Sequence, residues 1–124
     1  MHLQTHLLAS WAIGSGLTER RDRRLVAWAG VLPDLDALSL ALGRNAYERW
    51  HHVLTHNLLS ALVVSACAML VARQKVATTM LALAAFHVHL LLDVAGSGPE
   101  WTIAYFYPFA PVELGVSWAW PLTS

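Results

Sequence analysis

Charged residues are scarce in this chain of 124 residues, since Asp, Glu, Lys and Arg together make up 13% and the formal net charge is zero. Four arginines lie close together between Arg20 and Arg24, but Glu19 and Asp22 are interleaved with them. A nucleic-acid-binding protein needs a surplus of positive charge on one face. We therefore expect no nucleic-acid partner.

Cysteine is nearly absent as well. The single cysteine, Cys67, lies inside an apolar run, and one thiol can form neither an intrachain disulfide nor a zinc cluster of several thiolates. We expect Cys67 to be a small buried side chain. A metal site within one chain must then rely on nitrogen and oxygen ligands.

Apolar residues dominate instead, at 56% of the chain with a mean hydropathy of +0.47. They form stretches at residues 3–17, 25–32, 53–72 and 76–95. Alanine and leucine are abundant and no strand-like alternation is present, which indicates helices. We expect one all-α domain over residues 1–124, an antiparallel bundle of about four apolar helices. An irregular tail rich in aromatic residues and proline should follow from residue 101.

The two longest stretches, residues 53–72 and 76–95, are close to the ~20 residues that cross a bilayer. Six of the eight basic residues lie after the first stretch or between the third and fourth. Under the positive-inside rule both of these loops would be cytoplasmic. This agreement favours a membrane-embedded bundle. The alternative is a soluble bundle with an unusually apolar core.

Histidines and aspartates form four short clusters, each at one end of an apolar stretch. Antiparallel helices would bring all four clusters to the same end of the bundle, opposite the basic loops. In apolar surroundings such groups must bind each other or a metal ion. The candidate ligands are His6, Asp34, Asp36, His51, His52, His56, His89 and Asp93.

The spacing of the histidines distinguishes between two of these candidates. His52 and His56 are four residues apart, and on a helix they would share one face. His51 and His56 are five apart, so helical spacing favours His52 as the ligand.

Other roles remain open for the acidic residues. Asp34 and Asp36 could cap a helix that begins after Pro33. His89 and Asp93, four apart, could form a buried hydrogen-bonded pair, although a carboxylate among leucines is costly to bury without a cation.

Four motifs together resemble, in order and spacing, the membrane-bound metal-dependent hydrolase family. Members of that family are bacterial inner-membrane proteins with a suggested distant kinship to zinc-dependent phospholipase C. The resemblance covers nearly the whole chain. It rests on Thr5-His6, Leu32-Pro33-Asp34-Leu35-Asp36, the segment from His51 to Leu59, and His89 to Asp93 followed by a glycine-containing loop and Tyr107-Pro108-Phe109.

The third motif of that family usually reads His-Arg-Gly-x-Thr-His-Ser, which implies His51 and His56 as ligands. This sequence has His52 in place of the arginine, Val53 in place of the glycine and Asn57 in place of the serine. The resemblance therefore favours His51 where helical spacing favours His52. It assigns to His52 the phosphate-facing role of the missing arginine.

The resemblance implies a hydrolase that attacks a phosphoester, a small molecule or a lipid-linked one, with water activated between two divalent ions. Asp93 or Asp36 would bridge the ions, and Asp34 would hold or deprotonate the water. Imidazole and carboxylate ligands suit Zn²⁺, which we expect first, or Mn²⁺ or Fe²⁺. The protein would be a multi-pass inner-membrane protein with its site facing away from the cytoplasm.

Two other classes of protein compete with the hydrolase. A membrane protein that binds or transports divalent metal without catalysis would use the same ligands. A purely structural helical bundle explains the composition but not the convergence of the four clusters. The modest core of so short a chain is also compatible with a homodimer.

Overall fold

The computed structural model describes residues 3–96 and 101–116. Residues 3–96 are largely helical, and residues 101–116 contain turns and one isolated bridge between Ile103 and Leu114. The expected all-α class is confirmed. The helices are α1 (Leu3–Gly14), α2 (Arg20–Ala29), a 3₁₀ segment (Leu32–Leu42), α3 (Arg44–Trp50), α4 (Leu58–Val71) and α5 (Lys75–Gly96).

The helix boundaries follow local signals. Pro33 opens the 3₁₀ segment, and Gly43, with φ of 107°, ends it in a conformation that favours glycine. Asn57 caps α4, because its side chain accepts a hydrogen bond from the Ser60 N–H. The His51–Asn57 loop therefore precedes α4, whereas the helical-spacing argument placed His52 and His56 on a helix.

Helix α5 is central, and it packs against α1, α2 and α4. The surrounding helices turn small or polar residues toward it. The buried residues of α1 are His6, Ser10 and Gly14, and those of α4 are Ala61, Ser65 and Ala68.

Large apolar side chains point outward instead. Leu8, Trp11 and Leu70 are 66%, 60% and 78% exposed. Close packing through small residues with large apolar ones outside is typical of membrane helices. Cys67 is exposed too, so the prediction that it is buried was wrong, because the face of α4 that is buried carries Ala61, Ser65 and Ala68 instead.

One helix, α5, is long and apolar enough to cross a bilayer. Helix α2 and the 3₁₀ segment would meet the same criteria together as one span with a 50° bend, and α4 is apolar but shorter. Of the four apolar helices expected, then, one is a clear candidate span within the described residues.

Two side chains join the helices at the end of the bundle that carries the basic loops. The Asp22 carboxylate accepts hydrogen bonds from the backbone N–H groups of Arg73 and Gln74 and from the Thr78 hydroxyl. The Gln74 side chain in turn accepts from Thr18. The two basic loops thus lie together, as the antiparallel arrangement predicts.

The expected tail is irregular over residues 101–116, and its remaining part, residues 117–124, lies outside the described residues. Tyr105 attaches this segment to α5, because its hydroxyl donates a hydrogen bond to His87 Nε2 at 2.9 Å. The Tyr105 carbonyl also accepts from the Leu58 N–H at the start of α4. The segment therefore covers the end of the bundle that carries the histidines.

Candidate metal centre

Four separate parts of the fold carry the predicted ligands to one place. α1 supplies His6, the first turn of the 3₁₀ segment supplies Asp34, and α5 supplies His89 and Asp93. The His51–Asn57 loop supplies the remaining histidines. The convergence that the antiparallel arrangement predicts is present in the fold.

Two groups of side chains have the geometry to hold a metal ion, and they share Asp93. In each group one ligand atom from every residue lies within 4.8 Å of all the others. The first group is His6, Asp34, His89 and Asp93, and the second is His52, His56 and Asp93.

Asp93 lies at the centre of these contacts. Its Oδ2 is 2.9 Å from His89 Nε2 and 3.2 Å from His56 Nε2, while His52 Nε2 lies 3.9 Å away. Its other oxygen, Oδ1, is 3.1 Å from His6 Nε2. A carboxylate with both oxygens turned toward different imidazoles can bridge two cations.

Hydrogen bonds at Nδ1 orient the imidazoles of His56 and His89. His89 Nδ1–H donates to the Gly30 carbonyl at 2.8 Å, and His56 Nδ1–H donates to Asp36 Oδ2 at 2.8 Å. In both residues Nε2 therefore faces the cluster, where the two Nε2 atoms are 3.2 Å apart. Metal-binding histidines are oriented by the same kind of outer hydrogen bond.

Asp36 and His51 lie beside the two groups rather than in them. Asp36 accepts hydrogen bonds from His51 Nδ1–H at 2.7 Å and from the His52 backbone N–H at 2.9 Å, in addition to that from His56. Within the described residues, the side-chain hydrogen bonds of Asp36 thus run to the loop. This geometry gives Asp36 a supporting place and puts His52, not His51, among the converging atoms.

Three ring nitrogens of His6 and His52 have no hydrogen-bond partner in the part of the chain that the structure describes. Among the described residues, both nitrogens of His6 and Nδ1 of His52 are buried without a hydrogen-bond partner. His6 Nε2 is close to Asp93, but outside hydrogen-bonding geometry, and its ring stacks on His89 with centroids 3.6 Å apart. Buried polar atoms are rarely left unsatisfied, so these nitrogens fit a site that binds a cation.

The protonation of the loop histidines differs. Burial, together with the neighbouring rings of His56 and His51, lowers the pKa of His52 to about 3, so this ring is neutral. Burial also opposes a charge on His56, but hydrogen bonds to Asp36 and Asp93 outweigh it and raise the pKa of His56 to about 9. A positive charge is thus favoured between these two carboxylates.

Access to the cluster is narrow. His6, His56 and His89 are at most 1% exposed, and so is Asp93, whereas the Asp34 side chain is 21% exposed. Trp101 lies over the loop, with its ring 5.9 Å from His51 and 5.6 Å from His52 between centroids. Asp34 is therefore the member of the two groups that water reaches most easily.

The sequence pattern missed Gly30, which contributes through its backbone carbonyl. A Cβ placed on Gly30 would lie 1.6 Å from Ser10 Oγ, so only glycine allows α1 to approach the end of α2 this closely. The available signal was a glycine between an apolar helix and Pro33, which by itself indicates only a helix end.

Comparison with curated proteins and with solved structures finds no match for this chain. A family model described as the YdjM inner membrane protein matches residues 1–124. That description gives a location and no activity, so the predicted inner-membrane location is confirmed and the hydrolase resemblance stays a prediction. Because the match extends over the full sequence, the chain belongs to the YdjM inner membrane protein family.

Proposed function

We propose that this protein is a metal-dependent hydrolase that cleaves phosphoesters at a dinuclear His/Asp centre. The observation that carries the proposal is the sharing of Asp93 by two groups of converging ligand atoms. Two ions bridged by one carboxylate form a common arrangement for in-line displacement at phosphorus.

The donor set fits divalent cations. Asp34, Asp36 and Asp93 bring three carboxylates into a largely buried cluster, and an uncompensated buried charge is costly. Imidazole nitrogens and carboxylate oxygens, without thiolate, suit Zn²⁺ first and also Mn²⁺ or Fe²⁺. Such ions, when bound, lower the pKa of a coordinated water toward neutrality and polarise a phosphoryl oxygen.

Asp34 has the position for proton transfer in this reaction, since it is the most exposed member of the groups and lies 3.5 Å from His89 Nε2. Hydrolysis forms one P–O bond from the water oxygen and breaks the ester P–O bond. Asp34 would take the proton that the water loses and return it to the leaving alkoxide.

We assign the ligand role in the loop to His52 and His56. His52 belongs with His56 and Asp93 to the second group of converging ligand atoms, and imidazole is a common metal ligand. His51 and Asp36 would act behind His56, holding its ring in place.

We further propose that the chain crosses the inner membrane more than once. The outward-facing leucines and tryptophans of α1 and α4 support this arrangement, as do the two basic loops tied together through Asp22. The positive-inside rule then places the basic end in the cytoplasm and the histidine cluster on the opposite side.

The direct test is metal analysis of the purified protein and its Asp93→Ala variant, together with hydrolysis of a chromogenic phosphodiester. We expect two ions per chain in the wild type, and loss of both ions and of hydrolysis in Asp93→Ala, because the variant damages both groups. His87→Gln is a matched control, since His87 lies on the same helix but bonds to Leu83 and Tyr105 instead.

Unchanged metal content in Asp93→Ala would overturn the metal centre. Two ions per chain without phosphodiester hydrolysis would overturn the catalytic proposal. It would favour a membrane protein that binds or carries divalent metal.

A further inference from the structure

Two cavities of opposite character border the His51–Asn57 loop. The polar one has a volume of about 320 Å³, and among the residues that line it are Glu48, Arg49, His51, Trp101 and Glu113. It lies between α3 and the 101–116 segment. A group that occupies it would meet charged and aromatic side chains.

The second cavity is apolar, with a volume of about 290 Å³ between the 3₁₀ segment and α4. Leu35 and Thr55 lie at its loop end, Leu59 and Val63 form one wall, and Phe86 of α5 contributes to the lining. The Thr55 hydroxyl donates a hydrogen bond to the Pro33 carbonyl. This contact fastens the loop end of the cavity to the residue before Asp34.

A further apolar cavity of about 170 Å³ extends this space between α2 and α4. Both cavities are lined by Leu32, Val63 and Val64, and the second one reaches Val71. From Leu59 to Val71, α4 is about 18 Å long at ~1.5 Å per residue. We call the two cavities together the α4 groove, and its length is close to the thickness of one leaflet of a ~30 Å hydrocarbon core.

A hydrocarbon chain is the occupant that fits the α4 groove. The family is located in the inner membrane, so hydrocarbon chains are the medium available to an outward-facing apolar groove.

The loop contributes residues to both kinds of cavity and to the candidate metal centre. His51 and Val53 line the polar cavity, Thr55 lines the groove, and His52 and His56 belong to the metal-binding group. A molecule that combines a polar part, an apolar chain and a phosphoester matches the three features that the loop brings together.

We propose that the substrate is an amphipathic phosphoester whose hydrocarbon chain lies in the α4 groove while its polar group occupies the cavity beside Trp101. This inference rests on the proposed hydrolase function. Because lipid surrounds the groove, the chain gains little free energy from leaving the bilayer. The groove serves to align the phosphoester with the cluster, so its effect should appear in the rate of reaction.

The experiment compares two p-nitrophenyl phosphodiesters that share the reacting bond and differ only in the second ester group, ethyl or hexadecyl. Val63→Trp places an indole in the α4 groove. Leu62→Trp is the matched control, because Leu62 is the preceding residue, is 53% exposed where Val63 is 54% exposed, and does not line the groove.

We expect Val63→Trp to lower kcat/KM for the hexadecyl ester about tenfold, as misplacement of the reacting group would, and to leave the ethyl ester unaffected. Leu62→Trp should resemble the wild type with both esters. Undiminished hydrolysis of the ethyl ester by Val63→Trp also shows that the variant is folded.

Equal rates for Val63→Trp and Leu62→Trp with the hexadecyl ester would overturn the chain-binding groove while leaving the hydrolase intact. Loss of both esters in Val63→Trp alone would also contradict it, since the defect would not depend on the chain. Failure of the metal-loaded wild type to hydrolyse either ester would instead overturn the proposed function, and this inference with it.

Discussion

Two buried aspartates of the candidate centre differ in what their oxygens contact. Asp93 faces the Nε2 atoms of three histidines, whereas Asp36 binds Nδ1 of His51 and His56 and a backbone N–H. The sequence identifies both residues as candidates but does not show which of them faces the Nε2 atoms and which binds the Nδ1 atoms. The separation depends on which ring nitrogen faces the aspartate, and no spacing rule encodes that.

Asp36→Asn tests the supporting role at the scale of one residue. The amide keeps the shape of the side chain but weakens its hold on His56, so we expect metal affinity to fall by about 10- to 100-fold with the number of ions unchanged at saturation. Competition with a chelator measures this affinity.

Asp22→Asn is the control for Asp36→Asn. Asp22 is buried like Asp36, but it lies on α2 and contacts Thr78 near the start of α5, at the end of that helix far from the candidate centre. The control substitution should lower stability without changing metal affinity. Equal affinities of the Asp36→Asn and wild-type proteins would show that Asp36 does not orient His56.

His51 and His52 differ in where the backbone of the loop places their side chains. Helical spacing favoured His52, and His52 is the one that converges with His56, yet the reason was different. The loop is not helical, and His52 has φ of 66°, a left-handed conformation that few residues other than glycine adopt. Strained backbone of this kind is found where surrounding contacts hold a residue in place, and neither residue type nor spacing indicates it here.

At the scale of elements, the contact between α1 and the end of α2 governs two candidate ligands together. Ser10 Oγ donates to the His6 carbonyl at 2.6 Å and occupies the space beside Gly30, whose own carbonyl accepts from His89. The position of α1 relative to α2 is thereby linked to the stacked pair of His6 and His89.

Gly30→Ala should push α1 away from the end of α2. Gly30 has φ of −82°, which any residue can adopt, so the cost is purely steric. We expect overpacking to destabilise the protein by about 1–3 kcal/mol and to weaken metal binding. Thermal unfolding in detergent and metal titration provide the two readouts.

Gly16→Ala is the matched change, because a Cβ on Gly16 would meet nothing within 4 Å. If Gly30→Ala bound metal as tightly as Gly16→Ala, the Gly30 carbonyl would not be orienting His89.

The order of elements was more predictable than their boundaries. Apolar stretches and turn residues located most of the helices, because hydrophobic runs and glycine or proline act locally. A helix after Pro33 was considered, but its 3₁₀ form and α3 were not predicted, since they depend on tertiary contacts such as those of Asp36 with the loop. Asn57 could have been identified as the cap of α4 from its side chain alone.

At the scale of the whole molecule, the convergence of the four polar clusters followed from one assumption, that consecutive apolar helices run antiparallel. The same assumption put the basic loops together, where Asp22 and Gln74 now join them. What it could not supply was the number of spans, because α4 and the bent pair of α2 and the 3₁₀ segment fall outside simple length rules.

Sidedness is testable with single cysteines in a Cys67→Ser background. Ser15→Cys probes the basic end and Asn45→Cys probes the end that carries the histidines, and both positions are exposed. We expect a membrane-impermeant maleimide to label Asn45→Cys in intact spheroplasts and to label Ser15→Cys only after permeabilisation. The reverse pattern would place the candidate centre in the cytoplasm.

Asp93 has a further consequence through its place in the chain. It is the last of the candidate ligands to be synthesised, and both groups need it. A chain that stops before residue 93 therefore lacks one member of the first group and one of the second. The proposed metal centre would be completed only when α5 docks, and the free energy of metal binding would then act as folding free energy for the finished protein.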